Sequence, residues 1–357
     1  MDSLTQIILG AAVGEVVLGK KIGNKALLFG AIAGTIPDLD VFQSLIAPII
    51  SHRGFTHSFF FAFLMAPLLA WLMLRIFKDR EKTIFTDNIV FLDKLFKRLF
   101  RHSGASYKEW SLLYFWSFVT HILLDVQTIY GTELLWPFKL RLTTANVFVA
   151  DPLYTLPFLL CVIAVSFLSR HATIRAKINY FGLIVSTSYL LLTMVFKGIA
   201  YQKFTTSLKE QNIPYQRIET GPTPLNSILW FANVETETQY MTGLYSLMDN
   251  DEAIEFHTFD KNPELRKKLQ NFETIKKLNH FAKNWYLLSE TESGYDYTNI
   301  RFGAMAAKDG KPNYVFKYKL TIDDKKMIWK EDFNSKEKMG DMRSVFTALW
   351  ERLKGNK

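Results

Sequence analysis

Asp38, Asp40, His52, Arg53 and His57 stand close together in P-D-L-D and H-R-G-F-T-H-S, inside the most hydrophobic third of the chain. An unpaired charge in membrane-type sequence costs about 2.5 to 3.5 kcal/mol on insertion scales, so each of these groups needs a partner. In P-D-L-D the two carboxylates are two residues apart and, on an extended segment, leave the same face, where they can hold a cation. The competing reading is an Asx-turn and helix cap after Pro37. In H-R-G-F-T-H-S, Gly54 allows a sharp turn, Thr56 or Ser58 can cap the span that follows, and the two imidazoles can then converge. Further on, T-H-I-L-L-D places His121 and Asp125 four apart on one helical face. Either both are metal ligands, or a metal-binding His is oriented by the carboxylate. Imidazole and carboxylate oxygen without sulfur suit Zn, Mn or Fe(II). The metal ligands predicted from the residues are Asp38, Asp40, His52, His57 and His121. Arg53, expected to clamp an anionic group of a substrate, and Asp125 complete the predicted catalytic set.

The elements that must carry these residues are apolar. Of the 357 residues, 1 to about 200 are dominated by Leu, Ile, Phe, Val and Ala, whereas 201–357 alternate charged residues and Asn with aromatics. The fold class predicted is an α-helical membrane domain (1–200) of about six passages followed by a soluble α+β domain (201–357). The net charge of +9 resides largely in short links between apolar runs, which argues for a bilayer and against nucleic acid as partner. The single cysteine, Cys161, permits neither an intrachain disulfide nor a thiolate metal site.

Spans are predicted over 4–18, 55–77, 111–130, 153–169 and 178–196, with 26–36 and 41–50 as a broken or re-entrant pair interrupted at Pro37. The link 75–108 is strongly basic and is read as cytoplasmic, as is the hairpin tip at Arg170, Arg175 and Lys177. The N-terminus and the C-terminal half are then extracytoplasmic. On that reading Asp2, Asp38, Asp40, His52, His57, Asp125 and Asp151 share the outer side, where one pocket can hold them. Glu15 lies toward the other end; a polar contact to a neighbouring helix and a functional role are both open for it. Gln6 follows Asp2 at the same four-residue spacing. In the soluble half, strands are predicted over 227–234, 240–247, 285–289, 295–302 and 314–322, and helices over 263–282 and 335–353. G-P-T-P at 221–224 reads as a turn or linker opening the sheet. His257 and His280 are read as surface residues.

In M-D-S-L-T-Q, G-A-I-A-G-T-I-P-D-L-D, H-R-G-F-T-H-S and H-I-L-L-D the sequence resembles the bacterial family of membrane-bound, predicted metal-dependent hydrolases that includes the YdjM and YfhP proteins, over roughly 1–200. The family often carries a His where this chain has Gln6. The resemblance implies a hydrolase of the cytoplasmic (inner) membrane. With a metal-activated water it would act on an ester or phosphoester of a lipid or amphiphilic substrate. The alternatives are an ion-coupled transporter or channel, because broken helices with intramembrane His and Asp also bind transported ions, or a non-catalytic lipid-binding envelope protein.

Overall fold

The computed structural model describes residues 1–40, 53–79, 104–138, 140–250, 253–308, 311–323, 326–331 and 342–355. The predicted segment 41–50 and His52 lie outside them. Two compact units are present: residues 1–144 with 152–190, and residues 145–151 with 191–357.

The first unit is helical. Helices α1 (Ser3–Ile22) and α2 (Asn24–Thr35) form a tight hairpin that turns at Gly23, which has a φ of 59°. The hairpin closes because Gly10 and Gly14 face Gly30, Gly34 and Ala26, and a Cβ on any of these four glycines would collide with backbone of the opposite helix. Small residues four apart are how helices approach when lipid supplies no hydrophobic drive between them. α4 (Tyr107–Val126) packs on this hairpin, and α3 (Phe59–Asp79) packs on α4. Ala62, Ala66 and Ala70 are buried on α3, and Trp110, Leu113, Tyr114, Phe118 and Ile122 are buried on α4. Phe29 meets Trp110 edge-on at 5.0 Å. Ser106 and Glu109 cap α4 with a reciprocal capping box, the arrangement that satisfies two otherwise orphaned amide donors.

α5 (Pro152–Ser166) and the first half of α6 (Thr173–Glu210) complete the unit. Among the described residues three helices are long and apolar enough to cross a membrane, namely Ser3–Ile22, Phe59–Ile76 and Thr173–Glu210; α5 is apolar but shorter. Phe63, Leu64, Leu68 and Trp71 are exposed along α3, as a lipid-facing row would be.

Glu15 and Arg175 form a buried bidentate pair at 2.7 and 2.6 Å, and the same guanidinium donates to Asn24 Oδ1 and to the Val165 and Leu168 carbonyls. Arg175 is therefore inside the bundle and not a solvated charge at the hairpin tip, because its donors are consumed by the ends of three helices. This also decides Glu15: it makes the polar contact to a neighbouring helix.

The second unit contains two antiparallel four-stranded sheets, each a simple meander. The first is β1 (Arg217–Pro222), β2 (Leu229–Glu235), β3 (Gln239–Ser246) and β4 (Phe256–Asp260). The second is β5 (Tyr286–Thr291), β6 (Gly294–Lys308), β7 (Lys311–Asp323) and β8 (Lys326–Glu331). Ala200, Phe204 and Leu208 of α6 pack on Trp230, Ala232 and Val234. The expected helix 263–282 is two, α7 (Pro263–Leu269) and α8 (Glu273–Ala282), and α9 (Met342–Leu353) ends the described chain. β1, β4 and β8, which the sequence pattern did not single out, are all edge strands. Edges tolerate the polar residues and Pro that blur a strand signal; G-P at 221–222 ends β1 and a turn follows at 224–225, so G-P-T-P lies within the sheet and does not open it.

Candidate metal centre

The site gathers at the end of the first unit where α1 begins and α2 and α4 end. Pro37–Asp40 is a tight 3-10 turn and not an extended segment, so Asp38 and Asp40 do not share a face. Asp38 presents Oδ1 to the Nε2 atoms of His57 and His121, at 3.2 and 3.5 Å. Asp40 points the other way: its Oδ2 accepts from the Arg53 backbone N–H at 3.0 Å and from Thr56 Oγ1 at 2.8 Å. His57 closes a second 3-10 turn, Phe55–His57, and Ser58 Oγ accepts from the Phe61 amide to start α3. His121 and Asp125 project from one face of α4. Asp125 Oδ2 lies 3.3 Å from His57 Nε2 and 3.6 Å from His121 Nε2.

Asp38, His57, His121 and Asp125 thus offer four donor atoms, all within 4.8 Å of one another, and three of these residues are buried. The two imidazole Nε2 atoms face each other at 3.2 Å. Their tautomers follow from the opposite nitrogens. His121 Nδ1 lies 2.7 Å from the Gly34 carbonyl, which can only accept. His57 Nδ1 lies 3.0 Å from Thr56 Oγ1, whose own proton goes to Asp40, and 3.4 Å from Asp40 Oδ2. Each Nδ1 therefore carries the proton, and two Nε2 lone pairs converge on two carboxylate oxygens. Such an arrangement is repulsive unless a positive charge sits among the four. Imidazoles that donate from the far nitrogen to a carbonyl or carboxylate are how metal-binding histidines are held. Four N and O ligands about 2.1 Å from one ion lie about 3.4 Å apart at tetrahedral angles, against 3.2 to 3.6 Å for five of the six donor pairs, the sixth, Asp38 with Asp125, lying within 4.8 Å. The residues fit a divalent cation.

The surroundings are built for charge. Asp125 Oδ1 is taken by Gln6 Nε2 at 3.0 Å and by the Met1 amine, while buried Oδ2 has no hydrogen-bond donor and points into the group. Burial opposes charge on His57, but the adjacent carboxylates of Asp125, Asp38 and Asp40 outweigh it and push its pKa up to about 10. Burial also opposes charge on Asp38, and hydrogen bonds to His121 and His57 hold it well below the usual carboxylate range. Both groups lie in the turns between helices. The carboxylates therefore favour a positive charge at this point, whether proton or metal ion.

Residues 1–200 match the family model described as YdjM inner membrane protein. The chain belongs to this family. No curated protein and no solved structure matches the chain. The family match covers every residue of the four-donor group, and residues 201–357, most of the second unit, lie beyond it.

Of the predicted ligands, Asp38, His57 and His121 are brought together; Asp40 stands one shell out, behind His57; His52 is outside the described residues. Asp125 joins the donor group itself. Arg53, buried and with a φ of 64°, puts its guanidinium on Thr128 Oγ1 at 2.9 Å and its Nε 3.3 Å from Asp125 Oδ2. Asp2 caps α1, and Asp151 accepts from Ser227 in the second unit, so neither belongs to the group. The supporting atoms that sequence reasoning missed are the Gly34 carbonyl and Thr128; Gln6 and Thr56 were singled out, but not as partners of Asp125 and Asp40. The G-x-x-x-G spacings at 10–14 and 30–34 were the available signal, since they set the depth at which Gly34 meets His121.

Proposed function

We propose that this protein is a metal-dependent hydrolase of the inner membrane, acting on an ester or phosphoester of a lipid or amphiphile. The observation that carries this reading is the group of four buried or half-buried donors with both far imidazole nitrogens engaged and Asp125 Oδ2 left without a donor. A divalent cation there, Zn, Mn or Fe(II), would lower the pKa of a coordinated water toward neutrality. The chain's own residues set the stage. Gly34 and Asp40 orient the imidazoles, Gln6 turns Asp125 so that only Oδ2 faces inward, and Arg53 braces the same carboxylate. Asp38 is the most exposed of the four, so water and substrate reach the group from its side. The three long apolar helices support an integral membrane location, and the basic links favour placing the site on the extracytoplasmic side.

Elemental analysis of the purified protein, combined with a screen of lipid and short-chain phosphoesters and carboxylic esters, tests this. Near-stoichiometric divalent metal and a chelator-sensitive hydrolysis are expected, with His57→Ala losing both. A metal-free protein that hydrolyses none of them, before or after metal loading, overturns the reading.

A further inference from the structure

Arg53 is 4% exposed and held by both its backbone and its side chain. Its Nη1 donates to Thr128 Oγ1 at 2.9 Å, and that hydroxyl donates in turn to the Asp125 carbonyl at 2.8 Å. The guanidinium carbon lies over the Tyr130 ring, 5.3 Å from its centre. The backbone N–H goes to Asp40 Oδ2 at 3.0 Å, and the carbonyl accepts from the Glu133 amide at 3.1 Å. A φ of 64° is one that a residue with a side chain rarely adopts, so these contacts over-determine the turn and the direction in which the side chain leaves it.

The charge fixed in this way lies beside one particular atom. Arg53 Nε is 3.3 Å from Asp125 Oδ2, the oxygen that also lies 3.3 Å from His57 Nε2 and 3.6 Å from His121 Nε2. Nε is buried and has no hydrogen-bond acceptor, so it meets Oδ2 as charge beside charge. The other oxygen, Oδ1, is engaged by Gln6 Nε2 at 3.0 Å. In two-metal hydrolytic sites the ions stand about 3.5 to 4 Å apart, close enough to share a carboxylate. Asp125 is placed to be shared, but the guanidinium fills the space beside it that a second ion needs. Among the described residues no second group of three His, Cys, Asp or Glu donors stands together, so a second ion also lacks ligands.

Resting on the metal-dependent reading, we propose that Arg53 takes the place of a second metal ion. The centre holds one divalent cation, and the guanidinium supplies the other positive charge beside Asp125. Arg53 is then a positioning residue that keeps Oδ2 turned toward the two histidines, and not a clamp that swings to an anionic substrate.

Manganese titration of the full-length protein in detergent, followed by electron paramagnetic resonance, tests this without turnover. The wild type should bind one Mn(II) per chain and give the spectrum of an isolated ion even in excess metal. Asp tolerates a left-handed φ better than most residues, so Arg53→Asp keeps the turn while replacing the charge with a ligand. It should bind two ions, with the spectrum of a magnetically coupled pair. Arg53→His, which also offers a ligand, should do the same, whereas Arg53→Lys keeps the charge and should stay at one. Two coupled ions in the wild type overturn the inference and retain the metal-dependent reading. Folded Arg53→Asp and Arg53→His proteins that each bind only one ion overturn it equally. A wild type that binds no divalent ion overturns both.

Discussion

At the scale of single residues the site separates groups that face the centre from groups that hold them. His57 belongs to the first kind and Asp40 to the second, although both are imidazole or carboxylate in one short stretch. The distinction is directional: His57 Nε2 meets Asp38, His121 and Asp125, whereas Asp40 meets the Nδ1 side of His57 and the Arg53 and Thr56 donors. Removing a ligand and removing its support should therefore differ in degree. His57→Ala and Asp38→Asn should abolish metal retention through gel filtration. Asp40→Asn should leave the protein folded and lower metal affinity by about 10 to 100-fold, the usual cost of losing an outer partner of a metal-binding His. Competition with a chromogenic chelator measures both. Equal loss in Asp40→Asn and His57→Ala would make Asp40 a ligand. Because ligands must shed protons to bind metal, affinity in all variants should rise with pH.

At the scale of elements, the helices are held by close backbone approach at one end and by buried charge at the other. The glycine-lined α1–α2 hairpin brings Gln6 and Gly34 to the level of His121 and Asp125. Toward the opposite end, Glu15 and Arg175 tie α1 to the start of α6 and to the last carbonyls of α5. Breaking a buried pair by removing one partner strands the other charge, at a cost of about 3 to 5 kcal/mol. Glu15→Leu alone should accordingly lower the thermal midpoint in detergent steeply. The double variant Glu15→Leu with Arg175→Met should recover most of the loss, since an apolar pair of similar volume avoids the desolvation cost. A double variant as unstable as the single one would show that the Arg175 contacts to Asn24, Val165 and Leu168 matter more than the ion pair.

At the scale of the whole molecule, the two ends of the first unit differ in chemistry. One end gathers Asp38, His57, His121 and Asp125; the other carries Lys21, Glu109, Arg170 and Arg175 near the turns joining helices. α6 is one helix of 38 residues, about 57 Å at 1.5 Å per residue and more than a bilayer core requires. In a Cys161→Ser background, Lys108→Cys should be shielded from an impermeant thiol reagent in intact cells, and Asn250→Cys should be labelled. Both positions are exposed. The reverse pattern would place the metal group on the cytoplasmic face and exclude a substrate from the outer leaflet.

What the sequence by itself determined was the kind of chemistry and the kind of medium. Apolar runs of bilayer length, one cysteine, and His and Asp placed where charge is costly point to membrane helices around an N and O donor site. Three of the five predicted ligands meet, because His and Asp spacing on a helix and around a Gly turn constrains where side chains can go. The long hydrophobic helices and the inner strands were legible for the same reason, since their periodicity reflects burial on a known face. Only the tertiary structure decided which carboxylate faces inward. Asp38 and Asp40 are indistinguishable in P-D-L-D, and the 3-10 turn that separates them depends on where Arg53 and Thr56 arrive from a later segment. It also decided that Arg53 and Arg175 are inside. A guanidinium reads as a surface charge in sequence, and its burial depends on carboxylates and carbonyls that folding brings from distant parts of the chain.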